Sequence, residues 1–228
     1  MKQFDALGSN KNINMKNHSL SLGLVGLISL LSIACDISVN RSLSVADGET
    51  KEGGLTTVNG RIRIGNDANV SGKVRTVNGG VTVGNDSLVE SLETVNGSIK
   101  IGRQTLANGN LKTVNGSVTC EKGAEVKGRI STINGAIKVA STTVAEDLST
   151  VNGDIRLSDG STVNGSVRFT GKSGGKIRDL KLTLSGGSVI NGDVILENSK
   201  VRLTIFLLDD SRIEGSIPDG IEPKRSQE

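Results

Sequence analysis

From Leu55 onward the chain alternates. Apolar residues stand at every second position through short segments such as Arg61-Ile62-Arg63-Ile64, Ser98-Ile99-Lys100-Ile101, Ala136-Ile137-Lys138-Val139 and Asp154-Ile155-Arg156-Leu157. A period of two turns one side of a strand inward and leaves the other to solvent. No stretch after residue 36 carries the spacing of an amphipathic helix. The expectation is an all-β protein built from very short strands.

The strands follow a repeated tetrapeptide. Thr-Val-Asn-Gly starts at Thr57, Thr76, Thr94, Thr113, Thr150 and Thr162, and Thr-Ile-Asn-Gly starts at Thr132. The starts from Thr57 to Thr150 lie 19, 18, 19, 19 and 18 residues apart, and the one at Thr162 comes 12 residues later. A second unit, Val70-Ser-Gly72-Lys-Val74, is echoed by Val126-Lys-Gly128-Arg-Ile130. One period thus holds the tetrapeptide turn, a short strand, a polar turn such as Gly65-Asn66-Asp67, and one or two more short strands. A coil of 18–19 residues with three short faces predicts a single-stranded parallel β-helix. Its strands pair one turn above and below at roughly 4.8 Å. Its interior is a column of Val and Ile.

In this reading the Val of each tetrapeptide points into the column. Asn and Gly readily take turn conformations. An amide carries donors and an acceptor, so Asn59, Asn78, Asn96, Asn115, Asn134 and Asn152 can bond to one another along the axis as a ladder. The repeat is architectural, not catalytic.

The ends are less regular. Gly-Ser-Val-Ile-Asn-Gly from Gly187 and Asp-Ser-Arg-Ile-Glu-Gly from Asp210 echo the segment at Asp159–Gly165 at wider spacing, so later coils are longer or carry a loop, placed at Thr170–Lys176. The expected organisation is a leader over 1–34, a polar linker over 35–54, a β-helix over 55–217 and a flexible tail over 218–228, where Pro218 and Pro223 break strand pairing.

Composition sharpens the picture. Among 228 residues there are 30 glycines, three Phe, no Trp and no Tyr. Thin layers of small branched side chains fit this better than a globular core built on aromatics. It also argues against a polysaccharide-cleaving β-helix, whose groove needs converging acids and aromatic platforms. Asp67, Asp86, Asp154 and Asp193 are scattered, and the neighbours Asp209 and Asp210 face opposite ways if they lie on a strand. The Gly-Asn-Asp turns at Gly65 and Gly84 lack the glycine-aspartate nonapeptide of calcium-binding β-rolls. No metal and no cofactor is expected.

The N-terminus reads differently. Lys16 is followed by an apolar run over Leu20–Ile33, then Ala34 and Cys35. Those are the parts of a secretory leader, too short for a comfortable membrane span. Ser32-Ile33-Ala34-Cys35 resembles the lipobox of bacterial lipoproteins, which implies cleavage before Cys35 and acylation of its thiol. The lone histidine, His18, falls in the leader. Cys120 is then the remaining cysteine, without an intramolecular partner and alternating inward with Val118. The formal charge is +3 for the whole chain, of which residues 1–34 hold +2. A nearly neutral mature chain without stacking aromatics predicts no nucleic-acid binding.

One surface pattern stands out. The second outward position of the strands reads Arg63, Thr82, Lys100, Thr119, Lys138, Arg156 and Arg168. Stacked, these form a cationic stripe suited to an anionic envelope polymer or acidic lipid.

Repeated Thr-Val-Asn-Gly followed by an alternating strand, behind such a leader, resembles the adhesin-type β-helix repeat domain of bacterial envelope proteins, whose function is unknown. The Val-x-Gly-x-Val units are similar to those of bactofilins, polymer-forming cytoskeletal β-helices. The resemblance spans roughly residues 55–217 and implies a fold. It supplies no catalytic residue. The expectation is a non-enzymatic protein of the bacterial cell envelope, held to a membrane by lipid on Cys35 and presenting a rigid surface for adhesion or scaffolding. The alternative is a self-assembling bactofilin-like filament, and a minor alternative is a polysaccharide-active enzyme.

Overall fold

The computed structural model describes residues 36–171, 177–197 and 199–226. The leader, Cys35 and most of the loop expected at Thr170–Lys176 lie outside the described residues.

The described chain is a succession of short strands wound into a β-solenoid. Its 28 strands fall into three sheets of 9, 10 and 9 members, and every pairing is parallel, between one coil and the next. Sheet A begins with Asp36–Ser38, sheet B with Leu43–Val45 and sheet C with Thr50–Lys51, and each coil visits the three in that order. No described residue is helical.

Register explains the core. Stacking places like on like: Leu55, Val74, Leu92, Leu111, Ile130 and Leu148 form one inward column of sheet A. Ile62, Val81, Ile99, Val118, Ile137 and Ile155 form one of sheet B. Val70, Val89, Ala107, Val126, Val144 and Val163 form that of sheet C. All are buried. Cys120 lies in the second inward column of sheet B, and burial pushes its thiol up to about 12, so it stays protonated and unreactive.

Four sequence expectations are corrected. Residues 36–54 are not a linker: they form the first coil, pairing with Leu55–Thr57, Ile62–Ile64 and Asn69–Val70. Leu43-Ser44-Val45 supplies the same alternation as later coils, and the polar residues around it take outward and corner places. The segment after Pro218 is not all tail, because Lys224–Ser226 adds a last strand beside Phe206–Leu208.

The third correction is one of phase. In the tetrapeptides that start from Thr57 to Thr150, the Thr points in and the Val or Ile points out. Thr57, Thr76, Thr94, Thr113, Thr132 and Thr150 are buried, while Val58, Val77, Val95 and Ile133 are 38–41% exposed. The alternation begins earlier, in strands such as Val74–Asn78, and runs through Thr76. The buried hydroxyls have work at the corner. Thr76, Thr94, Thr113 and Thr132 donate to the carbonyls of Gly60, Gly79, Gly97 and Gly116 in the preceding coil, at 2.8–2.9 Å. Thr150 alone among these has no partner for its hydroxyl. The fourth correction concerns Thr162-Val163-Asn164-Gly165, which is the same text at another corner. It sits in sheet C, where Val163 does point inward, and it displaces Val167–Phe169 into sheet A.

The corner glycine follows from the stacking. A Cβ on Gly116 would be driven into the backbone carbonyl of Gly97 one coil away. The opposite turn, between sheets B and C, instead uses left-handed residues: Asp67, Asp86, Gln104, Ser141 and Asp159 have φ from 46° to 55°, Gly123 takes the place in its coil, and Asp159-Gly160, Gly186-Gly187 and Asp209-Asp210 supply two in theirs. Asp tolerates that conformation better than most residues.

Three stability measurements check these roles. Gly116→Ala should cost on the order of 3 kcal/mol in chemical unfolding, because backbone rather than a side chain obstructs the methyl. Thr113→Val should cost about 1 kcal/mol by orphaning a carbonyl. Thr150→Val, which removes a buried hydroxyl without a partner, should be neutral or stabilising.

Candidate functional site

Outward positions stack as strictly as inward ones, so each surface feature is a row along the axis. Four rows carry the chemistry.

The first is the asparagine ladder. Asn78 Nδ2 donates to Asn59 Oδ1 at 2.7 Å, Asn96 to Asn78 at 2.8 Å, Asn115 to Asn96 at 2.8 Å, Asn134 to Asn115 at 2.7 Å and Asn152 to Asn134 at 2.7 Å. The ladder starts one rung earlier than the tetrapeptide, with Asn59 donating to Asn40 at 2.7 Å. It ends where Arg178 donates its guanidinium to Asn152 Oδ1 and, at 2.8 Å, to the Val151 carbonyl. Every amide is spent on its neighbours, which makes the ladder structural.

The second is the cationic row of sheet B. Arg63, Thr82, Lys100, Thr119, Lys138 and Arg156 are in direct register. Lys100 is paired with Glu121 at 2.8 Å. Arg63, Lys138 and Arg156 have no acidic partner among the described residues. Beside Lys138 and Arg156 lies a shallow hollow of about 290 Å³, also lined by Thr119, Glu121, Lys122 and Ser158. Beyond Arg156 the row continues through Thr183 and Phe206 to Lys224.

Arg168 is not in that row. Its strand belongs to sheet A, where it pairs with Ser149. Its guanidinium Nε donates to Asp147 Oδ2 at 2.9 Å. Burial alone would raise the Asp147 carboxyl. The Arg168 hydrogen bond, the Ser166 N–H and the nearby charges of Arg168 and Arg129 outweigh it and hold the carboxyl below its usual range. Asp147 Oδ1 also accepts from the Ser166 backbone at 2.8 Å, so this pair staples consecutive coils. The misplacement has a clear origin: the tetrapeptide at Thr162 looks like the others and sits at a different corner.

The third row is one that sequence reasoning put inside. Val58, Val77, Val95, Val114, Ile133 and Val151 stand side by side on the outer face of sheet A, directly before the ladder asparagines. Val58, Val77, Val95 and Val114 border a groove of about 400 Å³ whose far side is formed by Thr56, Arg75, Glu93 and Lys112. The signal was present in the sequence, in the phase set by Val74 and Thr76 rather than by Val77.

The fourth is buried. Ser87, Thr105, Thr142, Ser161, Ser188 and Ser211 stack behind the left-handed turn. The hydroxyls of Ser161, Ser188 and Ser211 accept from the backbone N–H of Thr142, Ser161 and Ser188 in the preceding coil at 3.0–3.2 Å. They brace the turn and face no solvent.

Among the described residues no three His, Cys, Asp or Glu side chains converge as metal ligands would. No family model, curated protein or solved structure matches the chain, so its function is argued from these rows.

Asp147, Asp179 and Asp193 are all held below the ordinary carboxylate range. A depressed folded-state pKa stabilises above the unfolded value, near 3.9, and that contribution is lost as pH falls through the folded value. Stability should therefore decline on acidification below about pH 4. In urea titrations across that window Asp147→Asn should start less stable and fall less steeply. An unchanged slope would remove Asp147 from the acid response.

Proposed function

We propose that the chain is a non-enzymatic protein of the bacterial cell envelope, held to a membrane by lipid on Cys35, whose rigid solenoid serves adhesion or scaffolding. The observation that carries the reading is the cationic row of sheet B. The asparagine ladder and the Asp147–Arg168 pair hold the coils together, whereas Arg63, Lys138 and Arg156 are exposed and unpaired among the described residues. Lys138 and Arg156 stand one coil apart on a stiff support, with Arg63 four coils from Lys138, and cations so fixed suit a polymer with repeated negative charge, such as a phosphate-bearing wall polymer or lipopolysaccharide. Association through them would be salt-dependent.

The first coil supports the anchored arrangement, since the strand Asp36–Ser38 directly follows Cys35 in the sequence. Lipid there would set the solenoid against the membrane without a spacer. Two or three acyl chains, each contributing about 0.8 kcal/mol per buried CH2, would make that attachment durable.

End-to-end filament growth is less favoured by the far end. The last strand, Lys224-Arg225-Ser226, follows Pro223 and presents charge where another coil would add, and Lys224 lies 5.7 Å from the Phe206 ring centroid. Charged residues and proline are devices that stop edge pairing.

The test has two readouts. Mass of the membrane-extracted protein should match cleavage before Cys35 plus acyl groups, and Cys35→Ser should lose both the mass increment and the membrane fraction. Separately, Arg63→Ser, Lys138→Ser and Arg156→Ser together should weaken retention on an anionic wall polymer at least tenfold at low salt. Equal retention of that variant would remove the row from the function, and an unmodified, uncleaved chain would remove the anchor.

A further inference from the structure

The apolar row on sheet A has no partner among the described residues. Charged or hydroxyl side chains hold the equivalent row of sheet B from Ser44 to Thr183, and the outward row of sheet C carries only Leu88 and Leu106 between Asn69 and Glu125, so a line of Val and Ile six coils long is particular to sheet A. It is straight, in register and free of aromatic rings. Rings would suit sugar stacking or a lipid headgroup layer. Identical β-branched side chains at strand spacing suit another such line, because two in-register rows interdigitate into a dry interface.

We infer that this face binds a second copy of the same chain, side by side, with the two solenoid axes antiparallel. Charge selects the arrangement. Beside the apolar row run Arg75, Glu93 and Lys112. Lys112 has no acidic partner among the described residues, and Glu93 lies 2.9 Å from Arg75 in its own chain. A twofold axis parallel to the strands keeps each row facing its own counterpart and reverses the order of coils. Placed midway between the Glu93 and Lys112 coils, it sets Glu93 of each copy against Lys112 of the other. Val95 then meets Val114, and Val77 meets Ile133. An axis through the Glu93 coil would oppose Glu93 to Glu93 and Arg75 to Lys112. A parallel pair would set the charged row against the asparagine ladder, whose amides carry no charge.

The patch is small. Five coil steps of about 4.8 Å give roughly 24 Å of length, and the three outward positions across the strand give roughly 13 Å of width. About 300 Å² per chain is well below the ~800 Å² of a stable pair, so the association is weak and reversible in solution. Chains confined to one surface or one polymer would pair far more readily through raised effective concentration.

The experiment uses the full chain carrying Cys35→Ser, so that neither lipid nor a reactive thiol at that position contributes. Sedimentation equilibrium from low to high micromolar should show the average mass rising toward the dimer. Val77→Lys with Val95→Lys should weaken this at least tenfold while leaving circular dichroism and melting unchanged, since both side chains point outward. Mixed Val77→Cys and Ile133→Cys chains should form a disulfide-linked dimer faster than either variant alone. A monomer throughout the range, or a lysine variant that associates like the parent, overturns the pairing. Faster self-linking of Val77→Cys overturns the antiparallel arrangement. Cys35→Ser makes the result independent of the anchor.

Discussion

Each strand position in the described coils meets the equivalent position of the coils beside it, and most often a residue of its own kind. In-register parallel stacking places each side chain about 4.8 Å from the equivalent one in the coils above and below, and that single constraint decides which residues are admissible where. Branched aliphatics satisfy it inside by packing on themselves. At a corner a polar side chain must both give and receive along the axis. The amide of Asn does so, and Asn59 through Asn152 form one line of bonds. A carboxylate in that place could only accept. Where Asp does occur at a coil junction, as Asp147 does, its partners are a backbone N–H and an arginine from the next coil.

The tetrapeptide condenses the constraint into four letters. Thr turns inward and closes the carbonyl of the glycine one coil back, Val stands on the outer wall, Asn joins the ladder, and Gly leaves room for backbone to approach backbone. All but Val act between coils rather than within one. A solenoid held this way gains stability from each neighbouring interface, and its surface becomes a set of parallel tracks.

The period, the three faces and the asparagine ladder were legible in the sequence because they depend on spacing alone. Phase was harder. Thr and Val are both β-branched and both suit strands, so nothing in Thr-Val-Asn-Gly taken by itself says which one is buried. The preceding strand, Val74-Arg75-Thr76, resolves it through unbroken alternation. Arg168 was misplaced for a related reason: a copied tetrapeptide moved one corner round carries its following strand into another sheet. The first coil was missed because only Leu43 and Val45 announce it, in a segment otherwise polar. The cationic row was readable residue by residue up to Arg156, while the ion pair that neutralises Lys100 depends on Glu121, a turn residue in the next coil.

Arg178 occupies the place where another ladder asparagine would stand, and it binds the last amide and the carbonyl beside it. A guanidinium has donors and no acceptor, so it can terminate the line but cannot extend it. A gene encoding such a chain can therefore lengthen or shorten by whole coils anywhere between Asn40 and Asn152 with every bond re-formed across the seam. Beyond Arg178 the sheets still pair coil on coil, but an added coil there would bring no rung to this ladder. The end of the ladder is fixed in kind, and the number of rungs beneath it is free to vary.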